Sequence, residues 1–186
     1  AFHTTFDLAN VSCEGISSIT ADDIAAAKDA GFVIKLLAIA EKLEADGAEG
    51  VSVRVPPTLL PRTHPLAAVH GAFNAVFVEA ENAGELMFYG QGAGGTPTAS
   101  AVMGDVVTVA RRLVLGGHMG VEAASGHVPA LPMDKVTTSY SIGLDVADAP
   151  GVLSAVARVF AENGVSIETM RQKSHTDAAG ASAELR

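Results

Sequence analysis

The sequence predicts an α+β fold, a mainly antiparallel sheet with packed helices followed by a partial strand–helix–strand unit, and three observations carry that prediction. Short apolar strand signals at Phe32 to Ala40, Val51 to Val55, Ala75 to Glu79 and Leu86 to Tyr89 follow one another, the last two across the short turn Asn82-Ala83-Gly84; such spacing suits antiparallel neighbours. Val102, Met103, Val106, Val109, Ala110 and Leu113 then recur at helical spacing, making one apolar stripe to lie against the sheet. Finally, Tyr140, Ile142, Leu144 and Val146 alternate strictly and lead through a turn into a helix and a further strand.

Thr20-Ala21-Asp22-Asp23 has the form of a capping box with Asp in place of Glu, and the Ala-rich sequence behind it predicts a short helix ending near Gly31. Phe32 to Ala40 reads as one strand, Glu44 to Gly50 as an acidic loop, and Val51, Val53 and Val55 as the buried positions of a half-buried strand. Pro56, Pro57, Pro61 and Pro65 make the next segment a loop or an edge excursion. After the second strand pair, Thr96 is the expected helix cap, with Pro97 at the first helical position, where a missing N–H costs nothing. Gly116 to Pro132 lacks periodicity and marks a boundary. Beyond it, Asp148-Ala149-Pro150-Gly151 makes the turn, Val152, Val156, Val159 and Phe160 mark a helix, Asn163-Gly164 stops it, and Val165, Ile167 and Thr169 begin another strand. Both ends read as cut, since the chain opens on Ala1-Phe2-His3 without an initiator Met and closes on what looks like the start of an element.

Composition narrows the function classes. The 186 residues permit one domain, or one domain and a small module. A hydrophobic content of 48% with mean hydropathy +0.31 is high, yet no apolar run approaches the roughly 18 residues of a membrane-spanning helix. The excess is read as surface meant for another domain or subunit. A formal net charge of -9 argues against a nucleic-acid partner and favours a small molecule. Cys13 is the sole cysteine, which excludes an intrachain disulfide and fits a cytoplasmic location.

Gly90-Gln91-Gly92-Ala93-Gly94-Gly95 satisfies G-x-G-x-x-G between a strand and a helix. No strand ending in an acidic residue follows about 20 residues later, so a dinucleotide fingerprint is disfavoured. Two readings stay open: a tight strand-to-helix turn, and a secondary contact to a cofactor bound elsewhere. His64 and His70 lie in a loop where one could donate to a substrate, with a plain surface histidine as the commoner alternative. His3, His118, His127 and His175 lack metal-ligand spacing, and no metal site is expected. Lys35 and Arg54 interrupt apolar strands and are read as outward-facing positions rather than anion ligands. The turn Asp148 to Gly151 is either an ordinary capped turn or a helix start presenting N–H groups to an amino-acid carboxylate.

Taken together, Ile34-Lys35-Leu36-Leu37-Ala38-Ile39-Ala40, the segment His64-Pro65-Leu66-Ala67 to Gly71-Ala72-Phe73-Asn74, and Leu86 to Asp105 resemble the later half of a homoserine dehydrogenase catalytic domain. Thr137 to Gln172, with Asp145-Val146-Ala147-Asp148-Ala149-Pro150-Gly151-Val152-Leu153 at its turn, is similar to the opening half of an ACT module. The expected division is therefore residues 1–115 as the C-terminal part of the catalytic domain, 116–135 as linker and 136–186 as a partial ACT domain. The resemblance implies NAD- or NADP-dependent interconversion of L-homoserine and L-aspartate 4-semialdehyde in threonine, methionine and isoleucine biosynthesis, by a homodimer or higher homo-oligomer. It implies that Gly94 borders the cofactor with Thr98 beside it at the helix entry, and that His64 has a supporting role. The family's nucleotide fingerprint, acidic substrate-binding residue and catalytic Asp and Lys precede Ala1, so no catalytic residue is expected within this chain and the fragment alone should be inactive. A non-enzymatic ACT-type amino-acid-binding module, with threonine as effector, is the alternative.

Overall fold

The computed structural model describes residues 2, 4–116, 128–177 and 180–185, and divides into two units, Ala1–Val136 and Thr137–Arg186. In the first unit a two-residue strand β1 (Ser12–Cys13) precedes helix α1 (Ala21–Asp29). The capping box forms as the sequence predicts: Thr20 Oγ1 accepts from the Asp23 N–H at 3.2 Å, and Asp23 Oδ2 accepts from the Thr20 N–H at 2.8 Å. Two helix-end donors are thereby satisfied. Thr20→Ala is expected to lower stability by about 1 kcal/mol, read as a fall in the urea midpoint. An unchanged midpoint would mean that the cap contributes nothing.

The next four strands, β2 (Phe32–Leu36), β3 (Ile39–Ala45), β4 (Ala48–Val55) and β5 (Pro57–Pro61), form one long hairpin whose two arms are each broken once. β3 pairs β4 and β2 pairs β5, and the register is continuous across the break, with Leu36 facing Pro57 and Ile39 facing Arg54. The run Phe32 to Ala40 is thus two strands rather than one. Pro56 lies opposite the break and lacks the N–H that would continue the ladder. The prolines that predict a loop or edge excursion instead bound an edge strand, at its first and last residues. The expected acidic loop shrinks to Asp46-Gly47, both at positive φ (54° and 76°), the two-residue turn whose twist suits a hairpin.

Burial in this hairpin follows its neighbours rather than alternation. β4 lies between β1, which pairs with it in parallel, and β3. Residues 128–136 continue along the same side of it: the Val51 N–H donates to Pro129 O and the Leu131 N–H to Val51 O, both at 2.9 Å. Val51 and Ser52 are consequently both fully buried, although side chains of adjacent strand residues point to opposite faces. Lys135 pairs with Asp46 at 2.9 Å, and Val136 is buried.

A 3-10 turn at Pro65–Ala68 leads to the second hairpin, β6 (Phe73–Ala80) with β7 (Gly84–Gln91), and then to α2 (Gly95–Leu115). The cap of α2 is Gly94, not Thr96, and Pro97 is the third helical residue. Gly94 adopts φ +134°, which lets the chain reverse two residues earlier, and a proline in the first turn still forfeits no internal bond. The apolar stripe of α2 does not lie against the sheet. Every residue from Thr98 to Gly116 is exposed, with Met103 at 57% and Leu113 at 79%. On the sheet, Val76, Leu86 and Phe88 share one face of the β6–β7 hairpin and are also exposed.

The second unit holds β8 (Leu144–Ala147), α3 (Val152–Glu162), β9 (Gln172–Asp177) and β10 (Gly180–Leu185), in the sheet order β8-β10-β9 with antiparallel pairing throughout. The turn, the helix and its stop at Asn163-Gly164 form as predicted. Two expectations fail. Only the second half of the Tyr140–Val146 alternation is a strand, with Leu144 to Ala147 pairing Leu185 to Ser182 of β10. Val165 to Thr169 forms no strand; the chain pairs only from Gln172 onward.

Candidate functional site

The Gly90–Gly95 stretch leaves the β6–β7 hairpin and enters α2. The Gly92 N–H donates to Ala72 O at 2.8 Å, extending the ladder one step past the Phe73–Gln91 pair. The Thr98 N–H donates to Gly94 O at 3.1 Å, the first bond of the helix. Gly94 and Thr98 are therefore brought together by the helix entry. A Cβ on Gly90 or Gly95 would meet nothing within 4 Å, and α2 has no side-chain cap. The backbone there is open to an approaching group, and the helix's free N–H groups carry partial positive charge.

His64 is placed differently. It caps the 3-10 turn, its Nδ1 accepting from the Leu66 N–H at 3.1 Å, and its ring lies tilted against Phe77 with centroids 4.9 Å apart. With Nδ1 an acceptor, Nε2 carries the proton of the neutral ring. Phe77 stands four residues along β6 from Phe73, which faces the turn, or about 13 Å of strand. His70 is exposed. His3, His118 and His127 lie outside the described residues, and His175 falls on β9. Among the described residues no three His, Cys, Asp or Glu side chains gather as a metal ion requires.

Neither basic candidate faces outward as predicted. Arg54 is only 11% exposed in its side chain and pairs with Glu41 at 2.9 Å, while donating to Ser52 Oγ at 3.3 Å. Lys35 is half-buried and donates from Nζ to Val69 O at 2.5 Å. It lines a cleft of about 230 Å³ with Leu37, Leu66, Phe73 and Asn74. Asn74, which sequence reading did not single out as a site residue, lies diagonally across from Gly92 on the hairpin. Its sequence signal is its place in the His64 to Asn74 segment that resembles the family.

In the second unit the turn at Asp148 to Gly151 borders a cleft of about 310 Å³, closed on one side by Gln172, whose amide donates to Asp148 Oδ1 at 3.5 Å. Gly151 takes φ +94° at the cap of α3, so the turn reverses without side-chain capping. The cleft thus presents a carboxylate, an amide and the start of α3.

Comparison with known proteins gives this arrangement its class. Residues 1–107 match the family described as homoserine dehydrogenase, and residues 140–184 match the ACT domain. The chain is 53% identical over 178 residues to the homoserine dehydrogenase of Corynebacterium glutamicum, and 52% identical over 181 residues to that of Mycobacterium tuberculosis. These alignments cover 95% and 97% of this chain but 40% and 41% of the relatives. The solved homoserine dehydrogenase of Thiobacillus denitrificans superposes with a TM-score of 0.82 at 37% identity, over 96% of this chain and 41% of that one. That of S. aureus gives 0.61 at 29% identity, over 100% and 43%. The glycine turn thus falls within the part that matches homoserine dehydrogenase, and the part that matches the ACT domain follows it. The chain belongs to the homoserine dehydrogenase family, and spans about 40% of the length of the curated relatives it matches.

Proposed function

We propose that this chain forms the rear of the catalytic domain, and part of the ACT domain, of an enzyme that interconverts L-homoserine and L-aspartate 4-semialdehyde with NAD or NADP. The observation that carries the reading is the family match over residues 1–107, which includes the open glycine turn at the head of α2. The nicotinamide cofactor, when bound, supplies the hydride acceptor for the alcohol carbon. Gly94 borders that cofactor, Thr98 holds the helix entry through its N–H to Gly94 O, and His64 supports the fold near the site by capping the Pro65–Ala68 turn. Proton transfer and substrate binding fall to groups outside this chain, so the isolated chain is inactive.

The enzyme is a cytoplasmic homodimer, built partly through the β6–β7 sheet. Support for this comes from the single cysteine, the lack of any membrane-length apolar helix among the described residues, and the exposed Val76, Leu86 and Phe88. L-threonine is the effector, bound in the cleft between Asp148 and Gln172; the cleft's size and its mix of amide, carboxylate and helix start favour a free amino acid. One assay tests these statements: nucleotide reduction by L-homoserine, followed for the intact enzyme with and without L-threonine, and for the isolated chain. Reduction by the intact enzyme alone, slowed by threonine, is the expected result. No reduction by the intact enzyme would remove the assignment, reduction by the isolated chain would remove its inactivity, and a threonine-independent rate would remove the effector.

A further inference from the structure

We infer that Asn74 is a positioning residue for the glycine turn, its side-chain amide packing on Gly92 and so setting the path of the backbone on which Gly94 stands. The inference rests on the reading that Gly94 borders the nucleotide. Three contacts carry it. First, a Cβ built on Gly92 would overlap the Asn74 amide, with Oδ1 at 2.7 Å and the other amide atoms nearer still. A side chain at residue 92 would therefore displace the Asn74 amide from its seat. Second, the Gly92 N–H donates to Ala72 O, so the same residue is held from the backbone side. Third, the segment that leads through Ala72 into β6 is itself braced three residues earlier, since Lys35 on β2 donates to Val69 O.

The chain of support thus runs from β2 through Val69 and Ala72 to Gly92, with the Asn74 amide closing the open face. Directly opposite Asn74 is Gly90, where a Cβ would meet nothing within 4 Å. The amide therefore leans along the diagonal toward Gly92 instead of filling the position across from it, the reach that diagonal cross-strand neighbours have. Only Ala93 separates Gly92 from Gly94, which takes the φ of +134° that turns the chain into α2. A turn with glycine at positions 90, 92 and 94 has much backbone freedom to lose. A side chain resting on its second glycine reduces that freedom before any ligand arrives, which is the form preorganisation takes here.

The test uses the intact dehydrogenase carrying this segment, with amide hydrogen exchange in the nucleotide-free protein and nucleotide affinity by calorimetry. Asn74→Ala is expected to speed exchange at the Gly92 amide by about tenfold or more and to weaken nucleotide binding by about tenfold, with the melting temperature and the KM for homoserine little changed. N74D keeps the shape of the side chain and should keep the slow exchange. Gly92→Ala should weaken nucleotide binding, and combining it with Asn74→Ala should do no further harm, because the overlap it creates is with Asn74 itself. Unchanged exchange in N74A, or deficits that simply add in the double variant, would overturn the inference. Gly94→Asp in the same protein separates the two ideas: if it abolishes nucleotide binding while N74A does nothing, only the role of Asn74 is lost, and if neither matters the cofactor reading has failed as well.

Discussion

Gly94→Asp is expected to weaken nucleotide binding to the intact enzyme by about a hundredfold or more, with calorimetric titration of the oxidised cofactor as the measurement. Two effects combine. Gly94 sits at φ +134°, where any L side chain is strained, at a cost on the order of 1–3 kcal/mol. A Cβ there would also approach Pro97 Cδ and Cγ to 3.2 and 3.3 Å, so relaxation would have to move the first turn of α2. To that strain the carboxylate adds a negative charge at a helix N-terminus facing an anionic ligand. On the protein alone such a charge is mildly stabilising, so loss of binding without loss of folding is the signature. Gly94→Ala, which brings the strain without the charge, should show the smaller effect. Equal nucleotide affinity for G94D and the parent would remove Gly94 from the site.

The second large effect concerns stability. Gly50→Val is expected to destabilise the first unit by about 2–3 kcal/mol, as overpacking of a filled site does, read from chemical unfolding. Even an Ala Cβ at position 50 would lie 2.6 and 2.8 Å from the two methyl carbons of Leu131, far inside contact distance. Leu131 can clear that space only by changing its side-chain rotamer, because its backbone is held by its N–H to Val51 O and by the Val51 N–H to Pro129 O. Burial of Val51 at 0% exposure depends on that segment staying in place, and a fully buried valine is worth about 1.5–3 kcal/mol. Leu131→Ala should destabilise by itself, yet Gly50→Val on that background should cost much less than on the parent. If the two substitutions are independent, residues 128–131 are not seated as described.

Where a local rule acts alone, the elements were readable from the chain. Thr20 and Asp23 cap α1 because both partners lie within one turn, and Asn163-Gly164 ends α3 for the same reason. The β6–β7 hairpin followed from two apolar runs across Asn82-Ala83-Gly84. Reading failed wherever the deciding partner was distant in sequence. The break in the Phe32–Ala40 run is set by Pro56 on the opposite arm, and the burial of Ser52 beside Val51 by a segment nearly 80 residues later. The start of α2 was misplaced by two residues because a Ser/Thr cap is a sequence pattern, whereas Gly94 caps by its φ angle, which no spacing reveals.

The glycine turn shows the same division. Six residues, Gly90 to Gly95, marked by themselves a tight passage from strand to helix with backbone open to a ligand, because glycine's freedom is a property of the residue and needs no neighbours. Family membership was equally legible, carried by Lys35, His64 and the Gly-rich block in their order along the chain. Which glycine does what was decided only in three dimensions. Gly92 is small because the Asn74 amide packs on it, Gly94 because the helix begins there at φ +134°, and Gly90 faces open space. Packing and dihedral angle depend on where the rest of the chain comes to lie, and that information is absent from any local window of sequence.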